Sequence, residues 1–365
     1  MPENQPIEDF NYVNHELMPK ISRTFDFTIR KLPEGLQKEL IVAYALCRTI
    51  DCIEDSYIAP ESKIELMNGL VSCFSNQDVS AASSLESKLT SVGGKKPGYQ
   101  RLMRHYSRVV SASETLDKES VERISNCGRQ MADGLSNPQI QRIVTLEDHY
   151  RYCHYAAAVV GYFITDEMLA KGYLTKEQLK RLMPSVHDNN PEVGINFAHD
   201  FALALQLTNN IRDLHEDYKN GIFRWPSSLL SSRDLAYEDI VRRGISGGKK
   251  EKALEILQLQ IGDAERYFGS GVRWVDEIPF EAEGKEDGDF ERIKHSWGDA
   301  LALSAATLGK INSKTFFKHP ESNRLTRKEV YKIDEIVNQR VSQRKNLCNL
   351  IEHLFEKTID EKIED

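Results

Sequence analysis

Several features are missing from this sequence, and each absence narrows the reading. No two of its six cysteines form a Cys-x-x-Cys pair, which argues against a zinc site. Six cysteines spread over 365 residues do not make a disulfide framework, so reduced thiols are expected. No stretch approaches the ~20 apolar residues of a membrane span; the longest candidates are Ala156–Ile164 and Ala300–Leu308. The opening MPENQPIEDF has neither a basic start nor an apolar core, so no secretory signal is expected. Positive charge is not in excess: 48 Lys and Arg stand against 56 Asp and Glu, a net charge of −8. That balance excludes nucleic-acid binding by overall charge. Neither a Gly-x-Gly-x-x-Gly turn nor a Glu-x-x-His pair occurs, which removes a Rossmann site and a di-iron carboxylate bundle. The expectation is a soluble, cytoplasmic protein.

Proline and glycine are also sparse, at 12 and 21 residues. Long stretches free of both carry apolar residues at three-to-four spacing, and alternating β-branched runs are lacking. The reading is all-α, without an internal repeat. Four segments read as loops: Ser75–Gln100, Pro184–Gly194, Arg243–Lys250 and Phe268–Asp289. None is long enough to separate domains, so one large helical domain over 1–365 is expected, with 1–20 as an N-terminal extension. Residues 327–365 read as a C-terminal amphipathic helix with Leu347, Leu350, Ile351, Leu354 and Phe355 on one stripe. Such a stripe packs on a core or lies in a membrane interface. The acidic ending DEKIED favours the core, while peripheral membrane contact stays open.

Two carboxylate clusters stand out. In VAYALCRTIDCIEDSY (Val42–Tyr57), Asp51, Glu54 and Asp55 fall at i, i+3 and i+4. On a helix, Tyr44, Arg48, Asp51 and Asp55 share a sector of roughly 60°, opposite Val42, Leu46 and Ile53. In LALQLTNNIRDLHED (Leu203–Asp217), Asp213 and Asp217 are again four apart, with Glu216 between them. Gln206 and Asn209 extend that stripe. Carboxylates four apart repel, so such pairs are either solvated helix faces or places where cations sit. Hard divalent ions, Mg²⁺ above all, take oxygen ligands and keep positions open for phosphate. The pairs His187–Asp188 and His199–Asp200 offer a different metal chemistry, but no further ligand accompanies either at sensible spacing.

With these strings in view, the sequence resembles the squalene and phytoene synthases, the head-to-head trans-isoprenyl diphosphate synthases, over about 22–332. SRTF (Ser22–Phe25) resembles the family's Ser-Arg-Ser-Phe segment. YALCRTIDCIED (Tyr44–Asp55) and LQLTNNIRDLHED (Leu205–Asp217) resemble its two aspartate-rich motifs. GIFRWP (Gly221–Pro226) and YRYCHYAAAVVG (Tyr150–Gly161) resemble segments of the squalene synthase branch. WGDALALSAATL (Trp297–Leu308) lacks a family helix's usual Ile-Pro-Gln opening, and no C-terminal membrane helix like that of eukaryotic members is expected.

The resemblance implies a helical isoprenoid synthase bundle with a central cavity, acting as a monomer on two farnesyl diphosphates. It implies presqualene diphosphate as intermediate and NADPH reduction to squalene. Dehydrosqualene, hydroxysqualene or phytoene formation without reduction is the alternative. It implies Mg²⁺, with Mn²⁺ as substitute, on Asp51, Glu54, Asp55, Asn209, Asp213 and Asp217. Substrate contacts fall to Ser22, Arg23, Phe25, Tyr44, Arg48, Gln206, Asn209 and Arg212. Tyr152 aligns with the tyrosine implicated in first-step catalysis; a lone Tyr in an apolar helix is otherwise a core residue with a satisfied hydroxyl.

Overall fold

The computed structural model describes residues 4–92, 96–183, 196–241, 245–311, 316–317 and 323–356. It is 78% helical with no strand among the described residues, as the spacing of apolar residues predicts. The chain forms two compact units. One comprises Met1–Gln141 and Tyr162–Gly172; the other comprises Arg142–Gly161 and Tyr173–Asp365.

In the first unit the helix Glu34–Glu54 is the central element. Extended Pro33 precedes it, and Val42, Leu46, Ile50 and Ile53 are buried along it. It packs on Pro60–Ser75 and on Lys118–Leu135, where Gly128 permits close approach. A Cβ on Gly128 would stand 2.8 Å from the Leu46 side chain. Asp117 caps Lys118–Leu135, accepting the Ser120 N–H at 2.7 Å. Fully buried Glu167 is matched by Arg123, at 2.6 and 3.2 Å, and by the Ser120 hydroxyl at 2.8 Å. A buried carboxylate persists only with such partners.

In the second unit Phe197–Arg212 packs along the long helix Gly247–Asp276 and against Asp289–Ile311. Gly271 makes this possible, since a Cβ there would lie 2.8 Å from the Phe201 Cα. Phe201, Trp274 and Trp297 form a ring cluster with centroids 4.5 to 6.0 Å apart. The C-terminal segment is two helices, Arg327–Ser342 and Cys348–Glu356, rather than the single one expected; the chain turns between them at Arg344, whose φ is 53°. Leu347, Leu350, Ile351 and Leu354 are all buried, and a Cβ on Gly309 would meet the Leu354 carbonyl oxygen at 2.3 Å. The stripe therefore packs on the core. Residues 357–365 lie outside the described ones. No described helix is long and apolar enough to cross a membrane.

Three expected loops are wholly or partly helical. Ser75–Gln100 contains the helices Val79–Val92 and, in its last residues, the start of Pro97–Arg104. Burial of Ala82, Leu89 and Val92 outweighs the poor helix propensity of the serines. Proline at the first position of Pro97–Arg104 starts that helix. Of Arg243–Lys250, the first two residues lie outside the described ones and the last four belong to the helix that begins at Gly247, while Phe268–Asp289 stays helical to Asp276. Only 277–288 of that last segment is irregular, with Gly284 and Gly288 at φ 77° and 87°. The expected loop Pro184–Gly194, with His187 and Asp188, lies outside the described residues.

Candidate active site

Residues 40–54 are almost entirely buried, and the exceptions are Tyr44, Arg48 and Asp51, with exposed Asp55 next in line. These are the four residues the helical wheel groups on one stripe. Arg48 is its hub. It donates to the Tyr44 hydroxyl at 2.8 and 3.2 Å and pairs with Asp51 at 3.1 Å. Burial works against the guanidinium charge, but Tyr44, Asp51 and Tyr99 outweigh it and keep Arg48 protonated. Glu54 is buried beside the stripe, its carbonyl accepting from the Lys63 ammonium.

The Ser22–Phe25 segment meets this stripe. Ser22 ends one short helix, and its Oγ accepts the Phe25 N–H at 3.0 Å as the next helix begins. The Phe25 ring then lies 5.4 Å from that of Tyr44, while Arg23 is exposed. Sequence reading missed Tyr99 and Lys96. The Tyr99 ring stands 5.6 Å from the Arg48 guanidinium and 5.4 Å from the Lys96 ammonium. Burial pushes the Tyr99 hydroxyl up, against the pull of Arg48 and Lys96. The signal available was the string KKPGY, which composition assigned to a loop.

In the second unit Asn196 caps Phe197–Arg212, accepting the His199 N–H at 3.1 Å. The helix is not continuous to Asp217 as expected. It ends at Arg212, Asp213 turns with φ −93° and ψ 5°, and a short helix follows over Leu214–Lys219. The Asp217 N–H still reaches the Asp213 carbonyl at 2.8 Å, so the two carboxylates stay one turn apart. Gln206, Asn209, Arg212, Asp213, Glu216 and Asp217 keep accessible edges, while Leu207, Asn210, Ile211 and Leu214 are buried.

Asp213 is held by cations. Arg212 donates to it at 2.9 Å, and Arg324 bridges Asp213 and Glu216 at 3.1 and 2.9 Å. Burial opposes the Arg212 charge, and Asp213 outweighs that. Arg324, more than a hundred residues away in sequence, gave no local signal.

Asn210 ties the remaining strings together. Its side chain meets Gln206 at 3.0 Å, His149 Nε2 at 2.9 Å and Cys153 Sγ at 3.4 Å. Its carbonyl accepts the Trp225 indole N–H at 3.1 Å, which anchors the GIFRWP segment. Tyr152, 4% exposed, stands beside Cys153 just before a π-helical turn at His154–Ala158. Such wide turns recur at functional sites. The Arg224 guanidinium, 6% exposed, lies 4.1 Å from the centre of the Tyr152 ring. Burial, helped by Arg224, lowers His149 to about 3, so it is neutral near pH 7. His199 bonds to its neighbour Asp200 at 3.1 Å, and its ring lies 5.8 Å from that of His154.

The chain matches the family model described as squalene/phytoene synthase over residues 18–315. It is 25% identical over 275 residues to the squalene synthase of Schizosaccharomyces pombe, covering 72% of this chain and 54% of that protein. A relative from Arabidopsis thaliana, named inactive squalene synthase 2, is 25% identical over 263 residues, covering 71% and 57%. The chain thus spans about half the length of the curated relatives it matches. Among solved structures, a complex of TcSQS with the ligand E5700 aligns with a TM-score of 0.72 at 20% identity, over 97% of this chain and 98% of that one. A dehydrosqualene synthase in complex with ligand aligns at 0.60 and 16% identity, over 94% and 100%.

Proposed function

The chain belongs to the squalene/phytoene synthase family and has its all-α isoprenoid synthase fold, and from that premise we propose that it joins two farnesyl diphosphates head to head into presqualene diphosphate and reduces that to squalene. The observation that carries the proposal is the accessibility pattern. On two otherwise buried helical stretches, the residues left accessible are those a diphosphate and its cations require. A helix that merely faced solvent would expose a broad polar arc instead.

Asp51, Glu54 and Asp55 on the first stripe, and Asn209, Asp213 and Asp217 on the second, would each hold Mg²⁺, or Mn²⁺ in its place. The donor set fits: every ligand is a hard oxygen, and Arg48, Arg212 and Arg324 already place positive charge on Asp51 and Asp213. Bound there, the ions would neutralise the leaving diphosphate. Arg23, Arg48 and Arg212 would pair with its oxygens, and Tyr44 and Gln206 would orient it. One farnesyl group ionises, its allylic cation is captured by the other's double bond, and proton loss closes the cyclopropane. Tyr152 Oη would carry that proton. The Arg224 guanidinium packs on its ring, 4.1 Å from the centre, and would hold the phenol in place as it passes the proton on to the released diphosphate.

The NADPH step rests on the resemblance. The described residues contain no strand from which a dinucleotide-binding turn could spring. Incubating purified protein with farnesyl diphosphate and Mg²⁺, with and without NADPH, and identifying products by mass spectrometry tests the reading. Squalene formed only with NADPH is expected. Dehydrosqualene, hydroxysqualene or phytoene-type products formed regardless of NADPH would assign the chain to the non-reductive branch.

A further inference from the structure

Away from both motif stripes, the described residues gather one further group of metal-ligating side chains: His295, Asp299 and Asp334, with ligand atoms all within 4.8 Å of one another. His295 and Asp299 are four apart on Asp289–Ile311, so one helical turn sets both on the same face. Asp334 comes from the neighbouring helix Arg327–Ser342. His295 Nε2 lies 2.7 Å from Asp334 Oδ1 and 3.5 Å from Asp299 Oδ2. The Asp299 side chain has no exposed surface, while those of His295 and Asp334 are 17% and 25% exposed.

Charge and geometry point the same way. The cluster holds two carboxylates for a single imidazole. One of those carboxylates is shielded from water, and a divalent cation would carry charge equal to that of the two carboxylates together. Ligands at ~2.1 Å in a tetrahedral site stand roughly 3.4 Å apart. The His295–Asp299 separation of 3.5 Å already fits, and the 2.7 Å His295–Asp334 contact needs to open by about 0.7 Å. Asp334 is on the accessible side of the group and can make that shift.

We propose that His295, Asp299 and Asp334 bind a divalent transition metal of the zinc class, water completing the shell, and that the ion pins Arg327–Ser342 to Asp289–Ile311. The mixed nitrogen and oxygen donors select such an ion over Mg²⁺, which prefers oxygen alone. The site shares no residue with the motif stripes.

Full-length protein stripped by a chelator is titrated with ZnCl₂ in excess Mg²⁺, which keeps the all-oxygen stripes occupied. Bound zinc per chain and the thermal midpoint are read together. The expected result is one Zn²⁺ per chain and a raised midpoint. Asp334→Asn should lose both, with zinc binding at least ~10-fold weaker, whereas Asp213→Asn should keep both. If Asp334→Asn fails to fold, His295→Gln carries the same test. Absence of zinc binding tighter than roughly micromolar, or binding and midpoint unchanged in Asp334→Asn, would overturn the proposal and leave an imidazolium bridging two carboxylates.

Discussion

Tyr152 and His149 lie three residues apart on one helix, both buried, yet burial does different things to them. For His149 it removes charge. Its folded value of about 3 lies below the ordinary 6.5, so between these values the unfolded chain takes a proton that the folded chain refuses. Its contribution to stability is complete above pH 6.5 and is lost as pH falls toward 3, at up to ~1.4 kcal/mol per unit. His149→Gln should therefore flatten the fall in urea midpoint between pH 7 and 5; an unchanged slope would contradict the assignment. Tyr152, the proposed proton carrier, is buried with the Arg224 guanidinium packed on its ring. Tyr152→Phe should slow presqualene diphosphate formation by ~100-fold or more in single-turnover assays, with substrate affinity nearly unchanged. At this scale the sequence showed the motif residues but not their division of labour. Of the adjacent pair, Asn209 keeps an accessible edge while Asn210 is spent inside, bonding His149 and Cys153. Arg224, one residue before the Trp225 that anchors its segment, and Arg324 act through contacts that no local pattern encodes.

Among the elements, the helix Cys348–Glu356 is the clearest test of packing. Leu347, Leu350, Ile351 and Leu354 are buried against Asp289–Ile311, and each such side chain is worth ~1.5–3 kcal/mol. Deleting the residues after Arg344 should lower the thermal midpoint by ~10 °C or more; a truncation as stable as the full chain would instead mark a detachable anchor. Gly309→Ala probes the same contact more gently. Its Cβ would press on a backbone carbonyl that cannot swing aside, at a cost of ~1–3 kcal/mol by chemical denaturation. The apolar stripe that predicts this packing was legible because three-to-four spacing survives in any helix. The serine-rich helix Val79–Val92 was not legible, because its stability comes from a few buried contacts rather than from its composition. Nor was the break at Asp213, where two helical segments abut without a proline or glycine to announce it.

For the whole molecule, helical class followed from scarce proline and glycine, and family membership from strings scattered over most of the chain. The first motif belongs to one compact unit and the second to the other, and periodicity within either helix could not foretell that partition. The account proposes that each carboxylate stripe is needed for magnesium-dependent departure of diphosphate. Release of inorganic diphosphate from farnesyl diphosphate, followed with and without Mg²⁺ in the wild type, Asp51→Asn and Asp213→Asn, tests that claim most directly. The account predicts release that requires Mg²⁺ and falls at least ~100-fold in each variant while helicity is retained. Release without Mg²⁺, or near-normal release in either variant, would contradict it.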